Sequence, residues 1–253
     1  AMTLEQAHSA MRAGMEIGNQ LAGNAVACAG LGVGGSLSAS LVLSRLTGLP
    51  MRDLLVSGAK MNNTELTHML ALAQGAQTRH RDITDPVEVL AAFGGFEVAM
   101  MAGVMLSAAQ RRSLIMVDGM AACAALMVAA RIAPAVTDYC VFCRSQQHEG
   151  LDHALNLFQA GALLELGMNS ADGSGAAIAW PLIRTAAALL TEVAAGEDPG
   201  PTVPGTGFLA LDEGLAEAQA ASDEALLFAL GGVRPADKSV GTTTVAASAD
   251  ASW

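Results

Sequence analysis

Residues 29–39 read Ala-Gly-Leu-Gly-Val-Gly-Gly-Ser-Leu-Ser-Ala, a glycine-dense turn between an apolar run, Ala25 to Cys28, and a stretch of helical character from Ser36 to Leu46. Bare backbone leading into a helix start presents converging N–H donors and the positive end of the helix dipole, which together suit an anion. Phosphate is the guest this chemistry favours, with Gly30, Gly32, Gly34, Gly35, Ser36 and Ser38 around it. Two other readings stay open. Gly30, Gly32 and Gly35 satisfy G-x-G-x-x-G in the strand-to-helix setting of a dinucleotide fingerprint, although Asp53 precedes Leu54-Leu-Val-Ser-Gly58 instead of supplying the acid at its end. Glycine here would also serve close packing alone.

A second constellation is Cys140-Val-Phe-Cys143, which has the spacing of a metal or redox pair, with His148 and His153 near enough in sequence to complete a zinc set. Yet Thr137 to Cys143 reads as a buried strand, in which residues three apart face opposite sides. Reduced core thiols are the favoured reading, and neither a metal nor a cofactor is expected.

The elements that would position these groups follow from apolar spacing. Leu4 to Gln20 has Ala7, Met11 and Met15 near the helical period. Ala25 to Leu31 reads as a strand, Ser36 to Leu46 as a helix with Ser36 at its N-cap, and Gly48-Leu-Pro50 as its stop. Helices follow at Thr64 to Ala76, from Asp85-Pro86, and from Phe96 to Gln110, the last two separated by Gly94-Gly95. Ser113 to Val117 is a strand closed by Asp118-Gly119; then come a helix, Met120 to Ile132, the strand Thr137 to Cys143, and a helix, His148 to Phe158. Gly173 to Gly175 precedes a long apolar helix, Ala176 to Ala195. Strands alternating with helices predict a Rossmann-like α/β fold, its parallel sheet covered by helices on both faces.

The chain has 253 residues, 52% of them apolar and 15% charged, with a net charge of −11. That supplies core for a large domain over residues 1–196. Residues 197–253 read as a Gly/Pro linker, one amphipathic helix (Leu209 to Leu230) and a polar tail from Gly231. Thirteen basic residues spread thinly argue against nucleic acid and anionic membrane surfaces. The longest apolar runs, Val98 to Ala109 and Gly119 to Ala130, are too short to span a bilayer, and no export signal is visible. A soluble, cytoplasmic protein is the expectation.

Several blocks in order carry a resemblance: "AMRAGMEIGNQLAGNAVACAGLGVGGSLSASLVLSRLTG", "FGGFEVAMMAG", "RRSLIMVDGMAACAAL", "CRSQQHEGLDHAL" and "LELGMNSADGSGAAIAWPLIRTAAALL". Over most of residues 3–195 the chain resembles the nicotinate-nucleotide:dimethylbenzimidazole phosphoribosyltransferase family, which makes the lower-ligand nucleotide of cobamides. The resemblance implies a parallel α/β sheet with a smaller helical lobe, a dimer, and transfer of phosphoribose from nicotinate mononucleotide to an aromatic base such as dimethylbenzimidazole or a related or phenolic acceptor. It also implies nucleotide-binding roles for Gly94, Gly95, Asp118, Gly119, Gly173, Ser174 and Gly175.

The family pattern G-E-M-G-I-G-N-T-T is matched here by Ala29 to Leu37, with Gly30 in place of the glutamate and Gly35 in place of the asparagine. In L-G-E-G-[ST]-G the catalytic glutamate is matched by Asp172, which the resemblance makes the general base unless it is an N-cap of the following helix. Aspartate is shorter by one bond, about 1.5 Å. G-T-G-[IV]-D-D becomes Gly58 to Asn63, losing two acids at Asn62 and Asn63, and H-x-S-x-E-P-G-H becomes Cys143 to Gly150, losing an acid and a histidine for which His148 and Glu149 could substitute, although a solvated loop is the favoured reading. The match begins well inside the family pattern, so the expectation is a fragment or a shortened paralogue that borrows a surface from a homodimeric or heterodimeric partner. Two functional classes follow: a transferase, or a non-catalytic nucleotide-binding homologue acting as partner subunit or sensor.

Overall fold

A computed structural model describes residues 1–30, 34–55, 62–170 and 172–193. The linker, the 209–230 helix and the tail lie outside the described residues, as do Gly32 and the 56–61 stretch. In order, the chain forms α1 (Leu4–Gln20), β1 (Ala25–Cys28), α2 (Gly35–Thr47), α3 (Met51–Leu55), α4 (Asn63–Arg79), α5 (Pro86–Phe93), α6 (Phe96–Gln110), β2 (Leu114–Asp118), α7 (Met120–Ile132), β3 (Cys140–Cys143), α8 (Glu149–Leu157) and α9 (Ser174–Ala188). The strands make one parallel sheet in the order β1-β2-β3, with Val26 level with Ile115 and Val117 level with Phe142.

Strand alternation divides the interior in two. Val26, Cys28, Ile115, Val117 and Phe142 face the main core, which α1, α2, α5, α6 and α7 complete. Ala27, Leu114, Met116 and Cys143 face the opposite side, where Ala176 and Ala179 of α9 cover them. The sheet is thus helix-covered on both faces, as expected for a parallel sheet. Cys140 and Cys143 fall on opposite sides of it. Burial pushes both of their thiols up to about 12.

Local chemistry sets the boundaries. Thr3 and Gln6 form a reciprocal capping box on α1. Asp85 accepts from Val87 N and Glu88 N ahead of Pro86, starting α5. α2 begins one residue before Ser36, because Gly34 takes the cap position with φ of 76°. Pro134 opens a 3-10 turn over Pro134–Tyr139, so β3 begins at Cys140 and not at Thr137. The five-residue α3 has no signal of its own in the sequence. Asn62 and Asn63 start α4, Asn62 Oδ1 accepting from Thr64 N. α4 buries only Ala73 and packs on α2 and α3, forming the helical flank of the molecule.

α6 is enclosed by α1 and α7, with Val98, Ala99, Ala102 and Met105 fully buried. α9 and the turn that follows it remain open: Ile178, Leu182, Leu189 and Leu190 are exposed. Pro181 lies within α9, whose last turn passes into a π-helical turn over Leu189–Val193. From Ser174 to Glu192 this helix is long and apolar enough, by length and composition, to cross a membrane, unlike the runs singled out in the sequence.

Candidate active site at the carboxyl edge of the sheet

β2 ends in Asp118, which is 1% exposed. Its Oδ1 accepts from Ser145 N at 2.9 Å, and its Oδ2 accepts from Gly175 N at 2.9 Å and Ala176 N at 3.2 Å. A helix start leaves its first N–H groups without intrahelical partners. The cap residue of α9 is Gly173, which has no side chain to offer, so Asp118 does the capping from across the sheet. Asp118 therefore anchors the loop after β3 and the start of α9, and its carboxylate is spent on backbone. Gly175 N and Ala176 N at the start of α9 are thus engaged by that carboxylate.

Asp172 precedes the cap and is not itself the cap of α9. Its carboxylate lies over Gly119: a β-carbon built on Gly119 would come within 2.5 Å of Asp172 Cγ and 2.6 and 2.7 Å of its oxygens. Gly119 has φ of 90°, a conformation that glycine adopts without steric cost. Burial, and then the Asp118 charge, push the Asp172 carboxyl up to about 6. Next to it, Gly173 packs on Ala29, whose β-carbon would lie 3.0 Å from one built on Gly173. The loop that carries Asp172 therefore closes over the ends of both β1 and β2. A partly desolvated carboxylate with a raised pKa is suited to take up a proton near neutrality.

The glycine turn leaves β1 beside this loop. A β-carbon on Gly30 would meet Ala121 Cβ at 2.8 Å, Met101 Cε at 3.2 Å and Glu97 Cγ at 3.7 Å, so the position is filled from the N-terminal parts of α6 and α7. Among the described residues, Gly34 and Gly35, by contrast, have nothing within 4 Å of a built β-carbon, and α2 has no side-chain cap. The start of α2 is thus an open helix N-terminus at the carboxyl edge of the sheet, where Ser36 lies in its first turn. Ser38 Oγ donates to Phe93 O at 2.6 Å, tying this helix start to the Gly94-Gly95 junction. Gly94 is buried against Leu90, whose O lies 2.7 Å from a built β-carbon, so a side chain there would clash.

One acid at this edge escaped the sequence reading. Glu97 is half-buried on the first turn of α6, and its carboxylate lies over Gly95. The signal available was an acid two residues after a glycine pair that opens a helix.

The loop after β3 is held by Arg144, which pairs with Asp152 and, at 3.1 Å, with Glu165. Ser170 N donates to Ser145 O, drawing the Asp172 loop to it. His148 is buried rather than solvated; burial holds its imidazole below the usual histidine range, and His153 is exposed. Among the described residues no three His, Cys, Asp or Glu side chains are placed to hold a metal ion.

Comparison with known proteins matches the phosphoribosyltransferase family model DBI_PRT to residues 1–200. A nicotinate-nucleotide–dimethylbenzimidazole phosphoribosyltransferase of Cupriavidus taiwanensis is 43% identical over 197 residues, covering 77% of this chain and 57% of that relative. Its counterpart in Ralstonia nicotianae is 39% identical over 197 residues, 77% of this chain and 56% of the relative. The solved structure of CobT from Thermus thermophilus superposes with a TM-score of 0.70 at 28% identity, over 76% of this chain and 58% of that one. The chain spans a little more than half the length of these relatives. With its family model matched over residues 1–200 and relatives at 39–43% identity, the chain belongs to the DBI_PRT family of phosphoribosyltransferases.

Proposed function

We propose that this chain carries the transferase centre of a phosphoribosyltransferase that moves phosphoribose from nicotinate mononucleotide to a nitrogenous aromatic base, dimethylbenzimidazole or a related or phenolic acceptor. The observation that carries the reading is the Asp172 carboxylate, held over Gly119 at the carboxyl edge of the sheet with its pKa pushed up to about 6. The names of the relatives supply the substrates.

The chemistry needs little from the protein beyond placement and one base. The bond from ribose C1′ to the nicotinate nitrogen breaks, and nicotinate leaves with that electron pair. The unprotonated ring nitrogen of dimethylbenzimidazole forms the new bond to C1′ with its lone pair, and the proton on the other ring nitrogen passes to the Asp172 carboxylate; in a phenolic acceptor the hydroxyl oxygen forms the bond and its proton takes the same path. A carboxylate within hydrogen-bond reach contributes about 10²–10⁴-fold to such a step. The phosphate is held by the open start of α2 around Gly34, Gly35 and Ser36, since the start of α9 is capped by Asp118. Proximity does the rest: Asp118 and Gly119 fix where Asp172 stands relative to that phosphate.

The reading includes a partner. Exposed Ile178 and Leu182 on α9, with Leu189 and Leu190 in the turn after it, support a further protein surface there, whether a second copy or a paralogue. A cytoplasmic setting goes with a cobamide pathway enzyme of this composition. The test of the function is nicotinate release: the full chain with nicotinate mononucleotide and dimethylbenzimidazole releases nicotinate, and Asp172→Asn does not. Mononucleotide binding without release by the wild-type chain would instead favour a binding homologue.

A further inference from the structure

Glu97 stands where a nucleotide bound as proposed must place its sugar. Gly30 is adjacent to Ala29, which packs on Gly173 beside Asp172, and Gly34, four residues on in sequence, caps the start of α2. Glu97 Cγ lies 3.7 Å from the β-carbon position of Gly30, so this acid sits between the base-side acid and the phosphate-side turn. In a mononucleotide the ribose occupies that interval, with phosphate on C5′ and the ring on C1′.

We infer that Glu97 accepts hydrogen bonds from the ribose 2′- and 3′-hydroxyls of the mononucleotide. The inference rests on the function proposed above and assigns the sugar subsite within it. A carboxylate is an acceptor-only group with two oxygens, which fits a vicinal diol. It repels a phosphate, so the phosphate side is excluded. Glu97 makes no hydrogen bond or ion pair with another side chain among the described residues, and Gly95 gives its carboxylate the space to fold back over the helix start. In dinucleotide-binding folds an acid after the second strand takes the ribose hydroxyl. Here the acid that ends the second strand, Asp118, is engaged by the backbone N–H groups of Ser145, Gly175 and Ala176, and the first turn of α6 supplies another acid, Glu97. A purely structural Glu97, stabilising the α6 dipole, would not distinguish one sugar from another.

The experiment uses titration calorimetry on the full chain with nicotinate mononucleotide and its 2′-deoxy analogue. Wild type is expected to bind the ribonucleotide about 10- to 100-fold more tightly, the range for a hydrogen bond to a charged group. Glu97→Gln is expected to lose most of that preference while binding the deoxy analogue as wild type does. Glu97→Asp, with the charge kept and the reach shortened, is expected to fall between them. Equal ribose preference in wild type and both variants overturns the inference and leaves the proposed function standing. Failure of wild type to bind either compound overturns the mononucleotide reading, and the sugar subsite with it.

Discussion

The carboxylate of Asp172 rests on the α-carbon of Gly119, closer than any side chain on that residue would permit. Gly119 is the first residue past β2, and Asp172 the last before the cap of α9. The acid that the family pattern makes catalytic is therefore seated on the sheet by the absence of a β-carbon. Asp118, one residue away, holds the helix that follows the acid.

Gly119→Ala tests that seat. The new methyl would lie 2.5 Å from Asp172 Cγ, and the backbone at φ 90°, ψ 169° would add about 1–3 kcal/mol of strain. A displacement near 1 Å costs on the order of 10²-fold in rate. Nicotinate release is expected to fall by about that factor, with a melting temperature lowered by several degrees. Unchanged release would mean that the position of Asp172 does not matter.

Asp172→Asn should show a stability effect whose sign depends on pH. The ordinary carboxyl value is 3.8 and the folded one about 6, so the fold favours the protonated form. The contribution to stability is present below the ordinary value and is lost as pH rises through about 6. The asparagine variant, neutral throughout, is expected to melt as wild type does near pH 3.5 and above it at pH 7. The gain should grow between pH 4 and 6. Thermal melts across that range check this, and a pH-independent difference contradicts it.

Asp118→Asn removes a charged acceptor from three backbone N–H groups and turns an amide N–H₂ toward at least one of them. Hydrogen bonds to charged groups contribute about 1.5–3 kcal/mol each, so a loss of about 3 kcal/mol is expected. For a domain of this size that corresponds to a melting temperature lower by roughly 10 °C. The Asp118 charge is also the second cause of the raised Asp172 pKa. The rise of residual activity with pH should therefore shift to lower pH. A shift upward, or none, would separate the two acids.

Gly34→Asp places a charge at the open start of α2. Gly48 is a matched control: it has φ of 77° against 76° for Gly34, open space for a side chain, and lies at the other end of the same helix. Both substitutions strain the backbone alike. Only Gly34→Asp is expected to weaken mononucleotide binding, by at least about 10-fold for a repelled phosphate. Equal affinities for the two variants, measured by calorimetry, would remove the phosphate from this turn.

Much of the fold was legible because apolar spacing is local. Leu114 to Val117 and the Met120 to Ile132 stretch announce a strand and a helix within their own residues. Boundaries were less legible where backbone conformation decides them: Gly34 takes the cap ahead of Ser36, and Pro134 winds a turn where β-forming residues suggested a strand. The acid of the site could be placed by motif, and its surroundings could not. Asp118 reaches donors 27, 57 and 58 residues away. Glu97 meets Gly30 only because α6 packs against the end of β1. Such pairs exist in the folded chain alone.

The most direct measurement is nicotinate release from nicotinate mononucleotide by the full chain, with and without dimethylbenzimidazole, across pH 5 to 8. Base-dependent release should rise with pH through about 6 as Asp172 ionises, and Asp172→Asn should abolish it. Equal release by wild type and Asp172→Asn, or a profile flat across that range, would contradict Asp172 as the base and the transferase centre built around it.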